Sequence, residues 1–196
     1  MKKIIIKVVI ALIAINIIIV YPISTYNSLV TADEAVSTAW SNVENQYQRR
    51  SDLIPNLVNT VKGYAQHENQ TLKEVVEARA KATQATIDPT NMTPQDLKAY
   101  QQAQSAVGSA IGRLLVSVER YPDLKANENF QALQAQLEGT ENRISVERRN
   151  FNNIAKEFNT TIRRFPKNII ANMFGLERRP YFEAQEGSEK APEVKF

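Results

Sequence analysis

The chain has no cysteine and a single histidine, His67, and these two scarcities remove most catalytic chemistry at once. Without cysteine there is neither a disulfide framework nor a thiol nucleophile, and the absence favours no redox compartment. A zinc or di-iron centre in a helical bundle draws on several inward histidines and carboxylates, often as Glu-x-x-His pairs, and no glutamate stands three residues before His67. No Gly-x-Ser-x-Gly elbow is present for that histidine to serve, and the six glycines form no phosphate-cradling loop. His67 therefore reads as a surface or helix-end residue. No enzyme activity, metal or cofactor is expected.

A basic excess is missing too. Taking Lys2, Lys3 and Lys7 from the 24 basic residues leaves 21, against 21 acidic ones, so the body is neutral. A nucleic-acid binder carries its excess on the binding domain, and the pairs Arg148 with Arg149 and Arg163 with Arg164 read as solvated helix faces. No nucleic-acid partner is expected. No internal repeat stands out, and the one low-complexity stretch is the polar tail after Ala184.

What the chain does have is a long apolar segment at its amino end. From Ile4 to Ile23 twenty residues are interrupted only by Lys7 and Asn16, and a helix of that length rises about 30 Å, the thickness of bilayer hydrocarbon. Tyr21, Pro22 and Ile23 stand where a signal peptide would carry its small-residue cleavage site, and Thr25 to Ser28 offers only a weak one, so the segment reads as an uncleaved anchor. Lys7 can snorkel, whereas Asn16 lies near mid-bilayer, either as a tolerated solitary polar group or as a mark of self-association. Lys2, Lys3 and Lys7 precede the uncharged part from Val8 on, and the next basic residue is Arg49, so positive-inside bias places the body on the extracytoplasmic side.

Beyond the anchor, apolar residues recur at alternating steps of three and four. One stripe takes Leu29, Val36, Trp40, Val43 and Tyr47; a second takes Ile54, Leu57, Val61 and Tyr64 and resumes at Leu72, Val75 and Ala82. Leu97, Tyr100, Val107, Ile111, Leu114, Val118 and Tyr121 form the third, and Phe130, Leu133, Leu137, Ile144, Phe151, Ile154, Phe158 and Phe165 form the fourth. The fold class that follows is all-α: an N-terminal transmembrane helix over 1–24, an antiparallel four-helix bundle with long helices over 25–175, and an extended, partly disordered tail over 176–196. Asp88-Pro89 closes the second helix and Thr93-Pro94-Gln95-Asp96 opens the third with a capping box. Tyr121-Pro122-Asp123 stops the third, and Asn127 or Asn129 caps the fourth.

Pro55 is the ambiguous boundary. The stripe runs in phase from Trp40 through Arg50 to Val61, as a kinked continuous helix would, but four helices close a core more readily than three, and a break at Pro55 is favoured. On that count the fourth helix outruns the first, and Asn159-Thr160-Thr161 is the expected place for it to bend or break. Gly108 and Gly112 predict a close approach to the third helix, with Trp40 packed near them.

Tyr26-Asn27-x-Leu29 followed by Ala39-Trp40-Ser41-Asn42-Val43-Glu44-Asn45-Gln46-Tyr47-Gln48-Arg49-Arg50-x-Asp52-Leu53-Ile54-Pro55-Asn56-Leu57-Val58 resembles the signature of the bacterial LemA family. Tyr121-Pro122-Asp123-Leu124-Lys125, Leu137-Glu138-Gly139-Thr140-Glu141-Asn142-Arg143-Ile144, Phe158-Asn159-Thr160-x-Ile162-Arg163-x-Phe165-Pro166 and Tyr181-Phe182 follow in the family's order, so the resemblance covers nearly the whole chain. It implies one N-terminal membrane helix, a four-helix body and no established molecular activity. Some descriptions of the family put the body in the cytoplasm, opposite to the charge reading.

Two polar clusters fall inside these blocks: Glu44, Arg49, Arg50 and Asp52, and Glu138, Thr140, Glu141, Arg143, Arg148 and Arg149. Arg50 sits on the apolar stripe itself. The bland reading makes them interhelical salt bridges that set register; the sharper one makes part of this surface a docking site for another protein. Arg163, Arg164, Lys167, Arg178 and Arg179 should return to the membrane and meet anionic headgroups. Val194-Lys195-Phe196 has the form captured by strand-addition domains. The expected role is a membrane-anchored, non-catalytic scaffold or adaptor of the cell envelope with an envelope protein partner. The alternative is a lipid-interacting or membrane-remodelling protein acting through homo-oligomerisation.

Overall fold

The structure, a computed structural model, describes residues 2–65 and 68–184, with the backbone alone at Ala11. His67 and the segment 185–196, including Val194 to Phe196, lie outside the described residues. All regular structure among the described residues is helical.

The apolar segment forms α1 (Lys2–Ile15), a π-helical turn (Asn16–Val20) and the start of α2 (Tyr21–Tyr64). Asn16 opens the π turn, and its carbonyl accepts from Tyr21 N–H, five residues on. The helix therefore runs without a linker from Lys2 to Tyr64, and its apolar window is unburied, long enough and apolar enough to cross a membrane.

Pro55 does not break α2, which corrects the sequence reading. A proline inside a helix leaves the carbonyl four residues earlier without its N–H donor. Here that carbonyl, of Ser51, accepts instead from Arg79 Nε of α3 at 2.9 Å, so the helix passes through with its orphan satisfied. α2 ends at Tyr64, Glu68 N–H donates to Ala65 O at 3.1 Å, and α3 (Asn69–Gln84) follows. The body still has four long helices, but its first two divide ten residues later than expected.

α4 (Pro94–Val118) opens on the expected capping box: Thr93 Oγ1 accepts from Asp96 N–H at 3.1 Å and Asp96 Oδ2 accepts from Thr93 N–H at 3.2 Å. A short α5 (Pro122–Lys125) buries Leu124 under the anchor-distal end of the bundle. α6 (Glu128–Arg163) is capped by Asn127, whose Oδ1 accepts from Phe130 N–H at 3.0 Å. It crosses Asn159 to Thr161 unbroken, contrary to expectation. The expected mismatch in length vanishes because α2, with 44 residues, rises about 66 Å.

Pairings along the bundle fix the directions. Trp40 meets Tyr100 and Phe151, Arg50 meets Gln104 and Glu141, and Tyr64 meets Asn127. α4 thus runs with α2, while α6 and α3 run against it.

α7 (Lys167–Met173) follows the cis Phe165–Pro166 bond and ends on Gly175, whose φ of 68° is the left-handed conformation glycine adopts freely. Leu176 N–H reaches back to Ala171 O at 2.9 Å, completing a Schellman-type cap. Residues 176–184 then run without helix along α6. Phe182 inserts into the core, stacked on Trp40 with centroids 5.9 Å apart and edge-on to Phe151 at 5.5 Å.

Candidate functional site: a polar layer and a clamped strap

The core divides into two apolar clusters. The anchor-proximal one runs from Leu29 to Tyr47 on α2 with Leu97, Tyr100, Ile144, Phe151 and Phe158; the distal one begins at Ile54 and takes Val107, Leu114, Phe130 and Leu137. Between them lies a layer of Arg50, Gln104 and Thr140, all buried. Helical spacing carries this polar step through three helices at one level. On α4 Gln104 is the one buried polar residue, whereas α2 also buries Thr25 and α6 also buries Asn159, both nearer the apolar segment.

Arg50, only 3% exposed, is the centre of that layer. Its Nη1 donates to Glu141 Oε2 at 2.9 Å, and its Nη2 donates to both Gln104 O and Gln104 Oε1, at 2.8 and 2.9 Å. The guanidinium lies over the Tyr47 ring, 5.1 Å from the centroid. Thr140 Oγ1 is turned back onto Gln136 O at 2.7 Å. A cleft of about 260 Å³ opens beside the layer between α2, α3 and α4, lined by Glu44, Tyr47, Arg79, Tyr100 and Gln104 among others. Burial pushes the Glu44 carboxyl above its ordinary range and does the same to the Tyr47 and Tyr100 hydroxyls.

Of the residues singled out from sequence, Arg50, Thr140 and Glu141 meet at this layer, and Glu44 lines its cleft. Arg49, Asp52, Glu138, Arg143 and Arg149 lie on exposed faces; Asp52 accepts from Gln48 at 2.7 Å and Glu138 from Gln134 at 3.0 Å within their own helices. Gly108 faces Arg50, not Trp40: a methyl group there would sit 3.8 Å from Nη1, an ordinary contact, and at Gly112 it would meet nothing within 4 Å. No tight backbone approach exists at either glycine, and Trp40 packs two turns earlier on α4, against Tyr100, 5.1 Å between centroids. The later turn between α2 and α3 moved the register.

A second constellation holds the carboxyl-terminal strap. Asn159 and Asn152, two turns apart on one face of α6, each grip a backbone residue from both sides. Asn159 exchanges bonds with the N–H and carbonyl of Arg179, both at 2.8 Å, and Asn152 does so with Phe182 at 2.9 and 3.0 Å. Arg148 donates to Glu183 O at 3.0 Å and covers the Phe182 ring at 4.7 Å. Arg179, grouped from sequence with the membrane-proximal bases, is instead buried: Nη2 donates to Asp33 at 2.7 Å and Nη1 to Thr90 O at 2.6 Å. Arg163, Arg164 and Arg178 are exposed and Lys167 half-buried at the anchor-proximal end.

Sequence reasoning did not single out Gln104, Arg79, Asp33, Asn152 or Asn159 for these roles. Gln104 alone left a signal, a polar residue on the stripe of α4. Among the described residues no group of three or more His, Asp or Glu side chains could hold a metal ion.

A model of the LemA family matches residues 39–196. Magnetosome protein MamQ 2 of Paramagnetospirillum magneticum is 28% identical over 175 residues, covering 81% of this chain and 64% of its own length. Protein LemA of Metamycoplasma hominis is 29% identical over 160 residues, 82% of this chain and 69% of its own. Magnetosome protein MamQ of Magnetospirillum gryphiswaldense is 28% identical over 174 residues, 80% and 64% respectively. The chain thus spans about 64% of the length of the magnetosome relatives it matches.

Proposed function

This chain belongs to the LemA family, and from that premise we propose that it is a membrane-anchored, non-catalytic helical scaffold of the cell envelope. One observation carries the reading: the apolar segment and the first helix of the body are a single helix from Lys2 to Tyr64. A body joined to its anchor by a flexible linker explores a volume, whereas one joined by continuous helix stands at a set distance and angle from the bilayer. The Arg50 layer adds rigidity by tying α2, α4 and α6 at one level. Residues 1–24 serve as the anchor, 25–175 as the bundle and 176–196 as the tail. The asymmetry of Lys2, Lys3 and Lys7 supports placing the body on the extracytoplasmic side.

The docking surface of this scaffold is the outward face of α6, where Glu138, Arg143 and Arg149 are exposed beside Val146, itself half exposed. Glu141 and Arg148 are poor probes of docking because one serves Arg50 and the other the strap. The test is photo-crosslinking from residues 143 and 149 in intact cells, with identification of the captured protein. Capture of the same envelope protein from both, lost on Arg143→Glu with Arg149→Glu while helicity and melting persist, is expected. Unchanged capture after charge reversal would remove the docking face, and protection of the body from external protease would reverse the topology.

A second reading, oligomerisation in the membrane coupled to lipid interaction, is favoured by Asn16. Its side chain is exposed mid-span at the start of the π turn, where a polar group gains from a partner on a second helix. Loss of detergent-resistant oligomers in Asn16→Leu is the outcome this reading requires.

A further inference from the structure

The anchor-proximal end of the body carries a cluster that an aqueous surface does not explain. α7 buries Ile170 and Ala171 against the lower part of α2, where Leu29, Ala32 and Tyr26 lie. Its opposite side is apolar as well. Ile169 and Met173, four residues apart and so on one face, are 56% and 65% exposed, and Phe165 and Phe174 flank them at 80% and 51%. Elsewhere on the body large apolar side chains such as Val76, Val116 and Val146 are exposed singly, which is ordinary. A short helix apolar on both faces needs a second apolar phase.

Position identifies that phase. The Phe174 ring lies 4.3 Å from the ring of Tyr26, and Tyr26 is three residues, about 5 Å of helix rise, beyond the last residue of the apolar segment, Ile23. The cluster thus sits at the exit of the span, at the depth of the headgroup and acyl boundary. Its border carries several bases, with Arg163, Arg164 and Arg178 exposed and Lys167 half-buried; Glu177 is exposed beside Arg178, while Asp33 is paired with Arg179. Two copies meeting through this patch would bring those bases together, whereas anionic headgroups would neutralise them.

We propose that Phe165, Ile169, Met173 and Phe174 form a second, interfacial membrane contact that inserts into the bilayer the anchor already crosses, ringed by Arg163, Arg164, Lys167 and Arg178 on anionic headgroups. The proposal rests on the reading that Ile4 to Ile23 spans the membrane. One helix leaves the body free to rotate about its axis, and a second contact beside it stops that rotation, so the scaffold presents a set face.

The chain has no cysteine, so single labels can be placed in the full-length protein without background. Nitroxides at Ile169→Cys, Met173→Cys, Leu12→Cys and Val116→Cys would be read in vesicles of phosphatidylcholine and phosphatidylglycerol by their accessibility to oxygen and to a water-soluble nickel chelate. Positions 169 and 173 should favour oxygen, as position 12 does, while position 116 favours nickel. The preference at 173 should shift toward nickel when phosphatidylglycerol is withdrawn. Nickel access at 169 and 173 with oxygen preference at 12 would overturn the second contact and leave the anchor standing; nickel access at 12 would overturn the anchor itself. Exclusion of both reagents with dipolar broadening would show a second copy on the patch and overturn the lipid assignment. An oxygen preference that ignores phosphatidylglycerol would overturn the role of the four bases.

Discussion

Arg50 on α2 and Glu141 on α6 meet at 2.9 Å, yet the arginine side chain is 4% exposed and the glutamate 56%. The two ends of this ion pair therefore carry unequal weight. Glu141→Gln keeps an acceptor at the surface end and should cost about 0.5 kcal/mol. Arg50→Met strands Gln104 Oε1 in the core and should cost about 2–3 kcal/mol. Adding Gln104→Leu to Arg50→Met should recover part of that loss, because the orphaned polar side chain goes with its partner. Denaturant melts of the three variants check the order.

Pro55 and Arg79 should be coupled. In the natural chain Arg79→Met leaves Ser51 O without a donor and should cost about 1–3 kcal/mol. In a Pro55→Ala background the restored N–H at 55 can serve that carbonyl, so the same change at Arg79 should cost less. A double-mutant cycle reads the difference, and strict additivity would count against the substitution of one donor for the other.

Phe182 closes the aromatic cluster from outside the helices. Phe182→Ala should cost about 3 kcal/mol and shift Trp40 emission to the red, because Trp40, fully buried, would gain access to water. Fluorescence and a melt on the same sample test both halves of the prediction.

Glu44 ties stability to pH. Burial raises its folded-state pKa above the ordinary 4.5, so its stabilising contribution is full below 4.5 and lost as pH rises through the higher folded value. Glu44→Gln removes that loss. It should melt slightly higher than the natural chain at neutral pH, with the gap closing as the pH falls through the folded value toward 4.5. A gap that stays constant across this range would mean that Glu44 does not titrate in this way.

Gly112 lies in the middle of α4, where an added methyl group meets nothing within 4 Å. Gly112→Ala should therefore raise stability by about 0.5–1 kcal/mol. Gly108→Ala should gain less, because its methyl would touch the Arg50 guanidinium. Thermal melts of the two variants rank them.

Much of this architecture was legible from local rules. Twenty nearly uninterrupted apolar residues report a helix long and apolar enough to cross a bilayer, because a bilayer has a set thickness, and stripes at steps of three and four report helices because the helix has a set period. Thr93 with Asp96 and Asn127 marked two helix starts because capping is satisfied within four residues. Arg50 was conspicuous because it keeps the period of its stripe while breaking its apolar character.

What tertiary structure alone decided was whatever depended on a partner distant in the chain. Pro55 could end a helix or sit within one, and the donor that lets it sit within, Arg79, comes from another helix. That choice moved the end of α2 to Tyr64 and shifted heights along the bundle, so that Trp40 faces Tyr100 and Gly108 faces Arg50. The asparagines that clamp the strap, and the ion pair that takes Arg179 into the core and away from the exposed Arg163, Arg164 and Arg178, are long-range pairings that no spacing rule encodes. Sequence by itself determined the helices and the apolar segment, because those follow from local period and length; register, and with it the chemistry of the polar layer, was decided by packing between helices.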